Sequence, residues 1–272
     1  MQIHYKGCSM LQNVISHYFG LISAKKFSPN IQKFINEKYA GYFNIDLGEF
    51  APASSYESLN ALFTRTLNKA RVIEDGFISP SDGRILYTGK GVQNQAFSIK
   101  YHSYDVSELL STCANANELK DGFDYAGIYL SPRDYHHFHA PCDFRLLGAS
   151  YVPGALWSVS SVLLKRVENL YAKNERVVLR CESKGKLFWL VFVGALNVGK
   201  ISIDKLPQIK SNAKAGAANY EFSDISYEKG EHIGKFELGS TIVIIAQDGL
   251  IDFNLSNEQL VKYAQKIGDF KA

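Results

Sequence analysis

Three short stretches of this chain hold side chains that can do chemistry. The first is Ser79-Pro80-Ser81-Asp82-Gly83-Arg84, a carboxylate at a tight turn. The second runs from Leu130 to Cys142 and contains Asp134-Tyr135-His136-His137-Phe138-His139, three of the seven histidines. The third is Gly239-Ser240, set inside the otherwise apolar stretch from Phe236 to Ile245. Imidazole titrates near neutrality, so a histidine pair suits acid–base work. Asp82, His139 and Ser240 supply one of each member of a triad, whose order along the chain varies between folds. The nucleophile elbow of α/β-hydrolases is absent, because Ser240 is flanked by Leu238-Gly239 and Thr241-Ile242. His136, His139 and Cys142 have a spacing that suits zinc, but Pro132 and Pro141 bracket them and no second ligand pair accompanies them. By themselves these residues leave three readings open: a hydrolase that uses Ser240 without cutting itself, a non-enzymatic membrane-surface module, and a zinc protein.

The elements that must position these residues follow from periodicity. Phe236, Leu238, Ser240, Ile242 and Ile244 share one face at period two, which predicts a strand. Its glycine weakens the strand interior and marks a close backbone approach, and its serine hydroxyl needs a partner on an apolar face. From residue 70 onward, short β-rich runs alternate with turns such as Asp75-Gly76, Asp82-Gly83, Asp121-Gly122, Pro153-Gly154 and Asp248-Gly249. Strands are predicted over 84–87, 125–130, 176–181, 187–193, 200–203 and 240–246. Helices are predicted over 158–170 and 257–267. Upstream, Leu11, Val14, Ile15, Tyr18, Phe19 and Ile22 trace an amphipathic helix. A second opens at Ser28-Pro29, carries Ile31, Phe34, Ile35, Lys38 and Tyr39 on one face and stops at Gly41. A third covers about 56–67. The class is α+β, with N-terminal amphipathic helices (1–67) packed on a β-rich catalytic body (68–272).

Composition narrows the class. With 46% hydrophobic and 21% charged residues over 272 positions, the chain is globular. A net charge of +3 gives no ground for a nucleic-acid partner. Five lysines against the single Glu37 put residues 1–40 at +4 and the remainder at −1, so the positive bias sits at the N-terminus. Cys8, Cys113, Cys142 and Cys181 form no CxxC pair and read as reduced thiols of a cytosolic protein. No signal peptide is visible, and the run from Leu187 to Leu196 is too short to span a bilayer.

From about residue 56 to 246 the sequence resembles the phosphatidylserine decarboxylase family, of the bacterial proenzyme type. The resemblance rests on separate motifs in one order. They are Asn60-Ala61-Leu62-Phe63-Thr64-Arg65-Thr66-Leu67, Pro80-Ser81-Asp82-Gly83, the segment from Leu130 to Pro141, and Val152-Pro153-Gly154-Ala155-Leu156-Trp157-Ser158-Val159. Asn174-Glu175-Arg176-Val177, Val193-Gly194-Ala195 and Gly234-Lys235-Phe236-Glu237-Leu238-Gly239-Ser240-Thr241 complete the series. His137 stands where the family commonly has a basic residue such as Arg.

The resemblance implies an enzyme that makes its own cofactor. Asp82, His139 and Ser240 would be the self-processing triad, with Ser240 attacking the Gly239 carbonyl. Cleavage between 239 and 240 would give a large β chain (1–239) and a small α chain (240–272) that stay together. Ser240 would become an N-terminal pyruvoyl group, forming a Schiff base with phosphatidylserine and serving as electron sink for loss of carbon dioxide. This needs no pyridoxal phosphate and no metal. His136 would return a proton to carbon, and phosphatidylethanolamine would leave. The family further implies a homodimer. A lipid substrate makes the basic helices of residues 10–67 candidates for docking on an anionic membrane, as a peripheral protein at the cytoplasmic face of the cell membrane. Deleting residues 1–40 is therefore expected to weaken vesicle binding more than self-cleavage, measured by flotation and by gel. Equal loss of both would contradict separate roles.

Overall fold

A computed structural model of the chain describes residues 20–92, 97–99, 102–158, 169–195, 200–209, 211, 216–237 and 240–271. The helix expected from residue 11 falls mostly outside them, with residues 20–24 helical. The helix expected over 158–170 also lies largely outside. α1 (Pro29–Phe43) begins after Ser28 with proline in its first turn, and Asn44 ends it in the left-handed conformation at φ 52°. It therefore runs past Gly41, the expected stop. α2 (Leu59–Phe63) is shorter than the expected 56–67. The Ser58 side chain caps it by accepting from the Ala61 N–H. α3 (Val106–Leu110) and α4 (Leu170–Lys173) are single short turns inserted between strands.

The strands follow in order as β1 (Phe77–Ile78), β2 (Gly83–Gly91), β3 (Phe97–Ile99), β4 (His102–Tyr104), β5 (Phe123–Leu130) and β6 (His137–His139). β7 (Phe144–Val152), β8 (Arg176–Ser183), β9 (Lys186–Gly194), β10 (Lys200–Ile203) and β11 (Ala218–Tyr227) come next. The last are β12 (His232–Glu237), β13 (Ser240–Gln247), β14 (Ile251–Phe253), β15 (Leu260–Val261) and β16 (Lys266–Phe270). An antiparallel eight-stranded sheet has the order β11-β7-β8-β9-β13-β5-β2-β15. Two smaller sheets, β10-β12-β6 and β1-β16-β14, accompany it, and β3 and β4 form a hairpin.

β13 occupies the interior of the large sheet, paired along its length with β5 on one side and β9 on the other. Its run from Ile242 to Ala246 and the run from Phe188 to Val193 on β9 are fully buried. A strand that buries both faces shows a continuous apolar sequence rather than alternation. One face is covered by the small sheets. Phe138 of β6 and Phe236 of β12 pack on Phe192 of β9, and Phe77 of β1 packs on Phe188. On the other side, the Trp189 indole N–H donates to the Cys113 carbonyl beyond α3. β12 and β13 belong to different sheets, yet only residues 238 and 239 separate them in sequence.

One expected helix is corrected by the tertiary structure. Residues 257–267 form no helix; they supply β15, a turn and the start of β16. Leu260, Val261, Ala264 and Ile267 have a helix-like spacing, but Glu258 and Ala264 take φ of 68° and 76°, which no right-handed helix accommodates. Pairing of Leu260 and Val261 with Arg84 and Gly83 outweighs the local pattern. In α1 the buried side is polar. Gln32 and Asn36 are enclosed, and the Asn36 amide donates to the Ala53 and Tyr56 carbonyls. Ile31 and Phe34 are left 52% and 60% exposed. The three described cysteines, Cys113, Cys142 and Cys181, are buried and unpaired.

Gly234 of β12 faces the Ser202 carbonyl of β10 so closely that a Cβ would overlap a backbone oxygen. Gly234→Ala is expected to cost about 2 kcal/mol or more, read as a lower urea midpoint in a Ser240→Ala chain. An unchanged midpoint would mean that β10 and β12 can separate freely.

Candidate active site

The turn that leads into β2 carries Asp82, and β6 carries His139 beside it. The two segments are joined by the His139 N–H, which donates to the Pro80 carbonyl at 2.8 Å. Asp82 is nearly buried and receives three donors. Arg71 grips it with both terminal nitrogens, and the Tyr263 N–H donates to Oδ1 at 2.8 Å. Arg71 also holds Glu49 through Nε (2.8 Å) and Nη2 (3.0 Å), while Lys262 donates to Glu49 at 2.9 Å. The Arg71 hydrogen bond is the main reason the Glu49 carboxyl is held down at about 2. A cleft lined by Asn44, Glu49, Phe50, Arg133 and Lys262 reaches Asp82 from the surface.

His139 is fixed at both ring nitrogens. Nδ1 lies 3.0 Å from the Gly230 carbonyl and Nε2 lies 3.1 Å from the Tyr135 hydroxyl. A carbonyl oxygen only accepts, so Nδ1 carries the proton and Nε2 accepts from Tyr135. That tautomer leaves Nε2 basic. The Tyr263 ring stacks on His139 at 3.7 Å between centroids, and its hydroxyl also donates to Gly230. Asp82 thus reaches His139 through Tyr263, whose backbone it holds and whose ring carries the imidazole. No side-chain hydrogen bond joins Asp82 to His139, or His139 to Ser240, among the described residues.

Ser240 opens β13 opposite Leu130 and Gly194, and it is completely buried. Its Oγ, like the Thr241 hydroxyl, has no hydrogen-bond partner among the described residues. Gly239 lies outside those residues. The neighbouring strand end is held rigidly: the Asn174 amide donates to the carbonyls of Gly194 and Trp157 at 2.8 Å each. His136 is also completely buried. Its Nδ1 donates to the Asp134 carbonyl at 2.9 Å, its ring lies 4.0 Å from Phe63, and its Nε2 is unpartnered. The Phe236 N–H donates to the His136 carbonyl, so this histidine sits beside the end of β12 that runs toward Ser240. Buried polar atoms without partners are rare, so each calls for an explanation.

Several positioning residues gave little or no warning in the sequence. Arg65 is 1% exposed and donates to the Arg133 and Asp134 carbonyls, so it holds the loop that bears His136. Its position inside the Asn60–Leu67 motif was a signal. Tyr263 lies 181 residues from Asp82 and Arg71 lies 11 residues before it, outside every motif, and neither carried a signal. The zinc spacing of His136, His139 and Cys142 is not realised as a cluster. Both nitrogens of His139 are engaged by Tyr135 and Gly230, burial pushes the Cys142 thiol up to about 12, and no metal-ligating group of three assembles among the described residues.

A family model described as phosphatidylserine decarboxylase matches residues 59–269. A phosphatidylserine decarboxylase proenzyme of Campylobacter jejuni is 51% identical over 260 residues, which cover 93% of this chain and 97% of the relative. A proenzyme of the same description from Helicobacter pylori is 41% identical over 268 residues, covering 96% and 98%. One from Herminiimonas arsenicoxydans is 37% identical over 80% of this chain and 76% of its own length.

Burial holds all three histidines of the loop in the neutral form. It is the largest cause that lowers His136 and His139 to about 3 and His137 to about 4. The unfolded chain takes up protons on these residues below about pH 6.5, whereas the folded chain does not until about pH 4. Stability therefore falls as pH drops through this window. The slope is about 1.4 kcal/mol per pH unit for each histidine. Urea midpoints of a Ser240→Ala chain should fall between pH 7 and pH 5. The fall should be about a third shallower in a chain that also carries His139→Gln. A flat profile would contradict neutral burial.

Proposed function

The chain belongs to the phosphatidylserine decarboxylase family, and on that footing we propose that it cuts itself between Gly239 and Ser240 and then converts phosphatidylserine to phosphatidylethanolamine and carbon dioxide. The observation that carries this reading is the buried, unpartnered hydroxyl of Ser240 at the head of a core strand. A hydrolase acting on an outside substrate needs an accessible nucleophile. A serine that is 0% exposed suits attack on its own backbone instead.

In this reading Ser240 Oγ attacks the Gly239 carbonyl, and His139 Nε2 takes its proton. Tyr135 yields that lone pair to the serine. The proton passes to the nitrogen of residue 240 as the amide becomes an ester. Elimination, with loss of the Cα proton, frees residues 1–239 with a C-terminal carboxylate and leaves dehydroalanine at 240. Water then displaces nitrogen as ammonia, leaving a pyruvoyl group at the head of the 240–272 chain. Asp82 positions the base by holding Tyr263 against it. The two-sided ladder of β13 keeps the pieces together after the cut.

The orphaned Ser240 oxygen fits a group made from that residue, and no described side chain competes for it. Once formed, the pyruvoyl group supplies a carbonyl that condenses with the substrate amine and accepts electrons as carbon dioxide leaves. His136 handles the proton that must reach carbon. Its Nδ1–H is committed to the Asp134 carbonyl, so an added proton sits on Nε2, where burial drives it off again.

The lipid is met at the exposed side of the N-terminal helices. Leu21, Ile22, Ile31, Phe34 and Tyr42 are exposed there beside Lys25, Lys26, Lys33 and Lys38. Such a face suits an anionic bilayer surface at the cytoplasmic side. No helix among the described residues is long and apolar enough to cross a membrane. A homodimer of processed pairs completes the assembly.

Intact mass under denaturing conditions tests the cut. Two species are expected, one ending at Gly239 and one starting at a blocked residue 240, while Ser240→Ala stays full length. A wild-type chain that stays whole and is labelled at Ser240 by a fluorophosphonate would overturn the reading in favour of a hydrolase.

A further inference from the structure

A second set of histidines lies next to His139 and is used by none of these steps. His137 Nε2 is 3.0 Å from the Thr64 carbonyl, and its Nδ1 is 2.7 Å from His232 Nε2. His232 Nδ1 is 2.6 Å from Asp204 Oδ2. The file therefore runs from a surface carboxylate, through β12 and β6, to the residue that ends α2. Asp204 is seated by its own N–H, which donates to the Ile233 carbonyl at 2.8 Å.

Counting hydrogens fixes the charge of this file. The Thr64 carbonyl only accepts, so His137 Nε2 must carry a proton. Each of the other two contacts needs one hydrogen as well. Two neutral imidazoles carry two hydrogens, and this arrangement uses three. The third belongs with the ring that is part exposed and faces a carboxylate, which is His232, because His137 is buried. The His232 ring lies 5.1 Å, centroid to centroid, from the His139 ring.

We propose that Asp204 and His232 are positioning residues whose shared proton places a fixed positive charge against His139 and so keeps its Nε2 free of protons. The proposal rests on the reading that His139 is the base for self-cleavage. The other charged or titratable groups around the file are His137 on β6, Lys235 on β12, the Lys205–Glu231 ion pair, Arg71, and Tyr135 and Tyr263 against His139. Arg71 also opposes a proton on His139.

The test has two arms. In the full-length Ser240→Ala chain, side-chain nitrogen–proton NMR at pH 7 should show both ring nitrogens of His232 protonated, and Asp204→Asn should remove one of those protons. This arm needs no cleavage, so it stands whether or not the chain processes itself. In the second arm, newly translated wild-type chain and His232→Gln are moved to a series of pH values, and cleavage is followed on a gel. Glutamine keeps an amide donor for His137 but no charge. The acid limb of cleavage should move up by about one pH unit. A structural role alone would slow cleavage at every pH without moving the limb. A singly protonated His232 in the first arm, or an unmoved limb in the second, would overturn the proposal. A wild-type chain that never cuts would sink the self-processing reading, and with it the proposed role, while the charge of His232 would still be read from the spectra.

Discussion

The constraint on which the rest of this structure depends is a serine hydroxyl buried without a partner among the described residues, at the head of a strand that is paired on both sides. Leaving such a group unsatisfied costs about 1–3 kcal/mol. The fold tolerates that cost because the strand behind it buries Ile242, Val243, Ile244, Ile245 and Ala246 completely. The same ladder that fixes Ser240 also means that a cut just before it leaves residues 241–246 of β13 paired on both sides. Residues 239 and 240 lie between strands of two different sheets, each held by other neighbours.

The ionic cluster of Arg71, Asp82, Glu49 and Lys262 lies on the side that opens to a cleft. His136 and His139 lie behind it in apolar surroundings, neutral, each with Nδ1 tied to a backbone carbonyl. Tying Nδ1 in this way selects the tautomer with a basic Nε2 without an adjacent carboxylate. Asp82 holds the Tyr263 N–H, the Tyr263 ring stacks on His139, and no side-chain hydrogen bond joins Asp82 to the imidazole among the described residues.

The N-terminal helices obey a different logic from the body. α1 is fastened by the Asn36 amide, which donates to the Ala53 and Tyr56 carbonyls while Gln32 donates to the Asn36 side-chain oxygen. Ile31, Phe34 and Tyr42 are left on the outside, next to lysines. A helix attached through its polar face is an economical way to present a greasy surface without giving up its anchor.

Much of the fold was legible in the sequence. The continuous apolar runs at 187–193 and 240–246 determined two central strands, because such runs have no polar face to show to water. The Ser28-Pro29 start determined a helix boundary, and the separate motifs determined the family and pointed to Asp82, His136, His139 and Ser240. What the sequence could not determine were properties that depend on partners distant along the chain. The segment 257–267 has helical spacing, but pairing with β2 and two left-handed residues made it strand and turn. The apolar side of α1 could not be assigned to the interior or the outside until Ala53 and Tyr56 were in place to receive Asn36. Arg71, Tyr263 and His232 reach the site only through tertiary contacts, so no local pattern marks them. Periodicity reports which side of an element is apolar. Only the assembled chain decides what each side meets, and that decides which nitrogen of His139 keeps its proton.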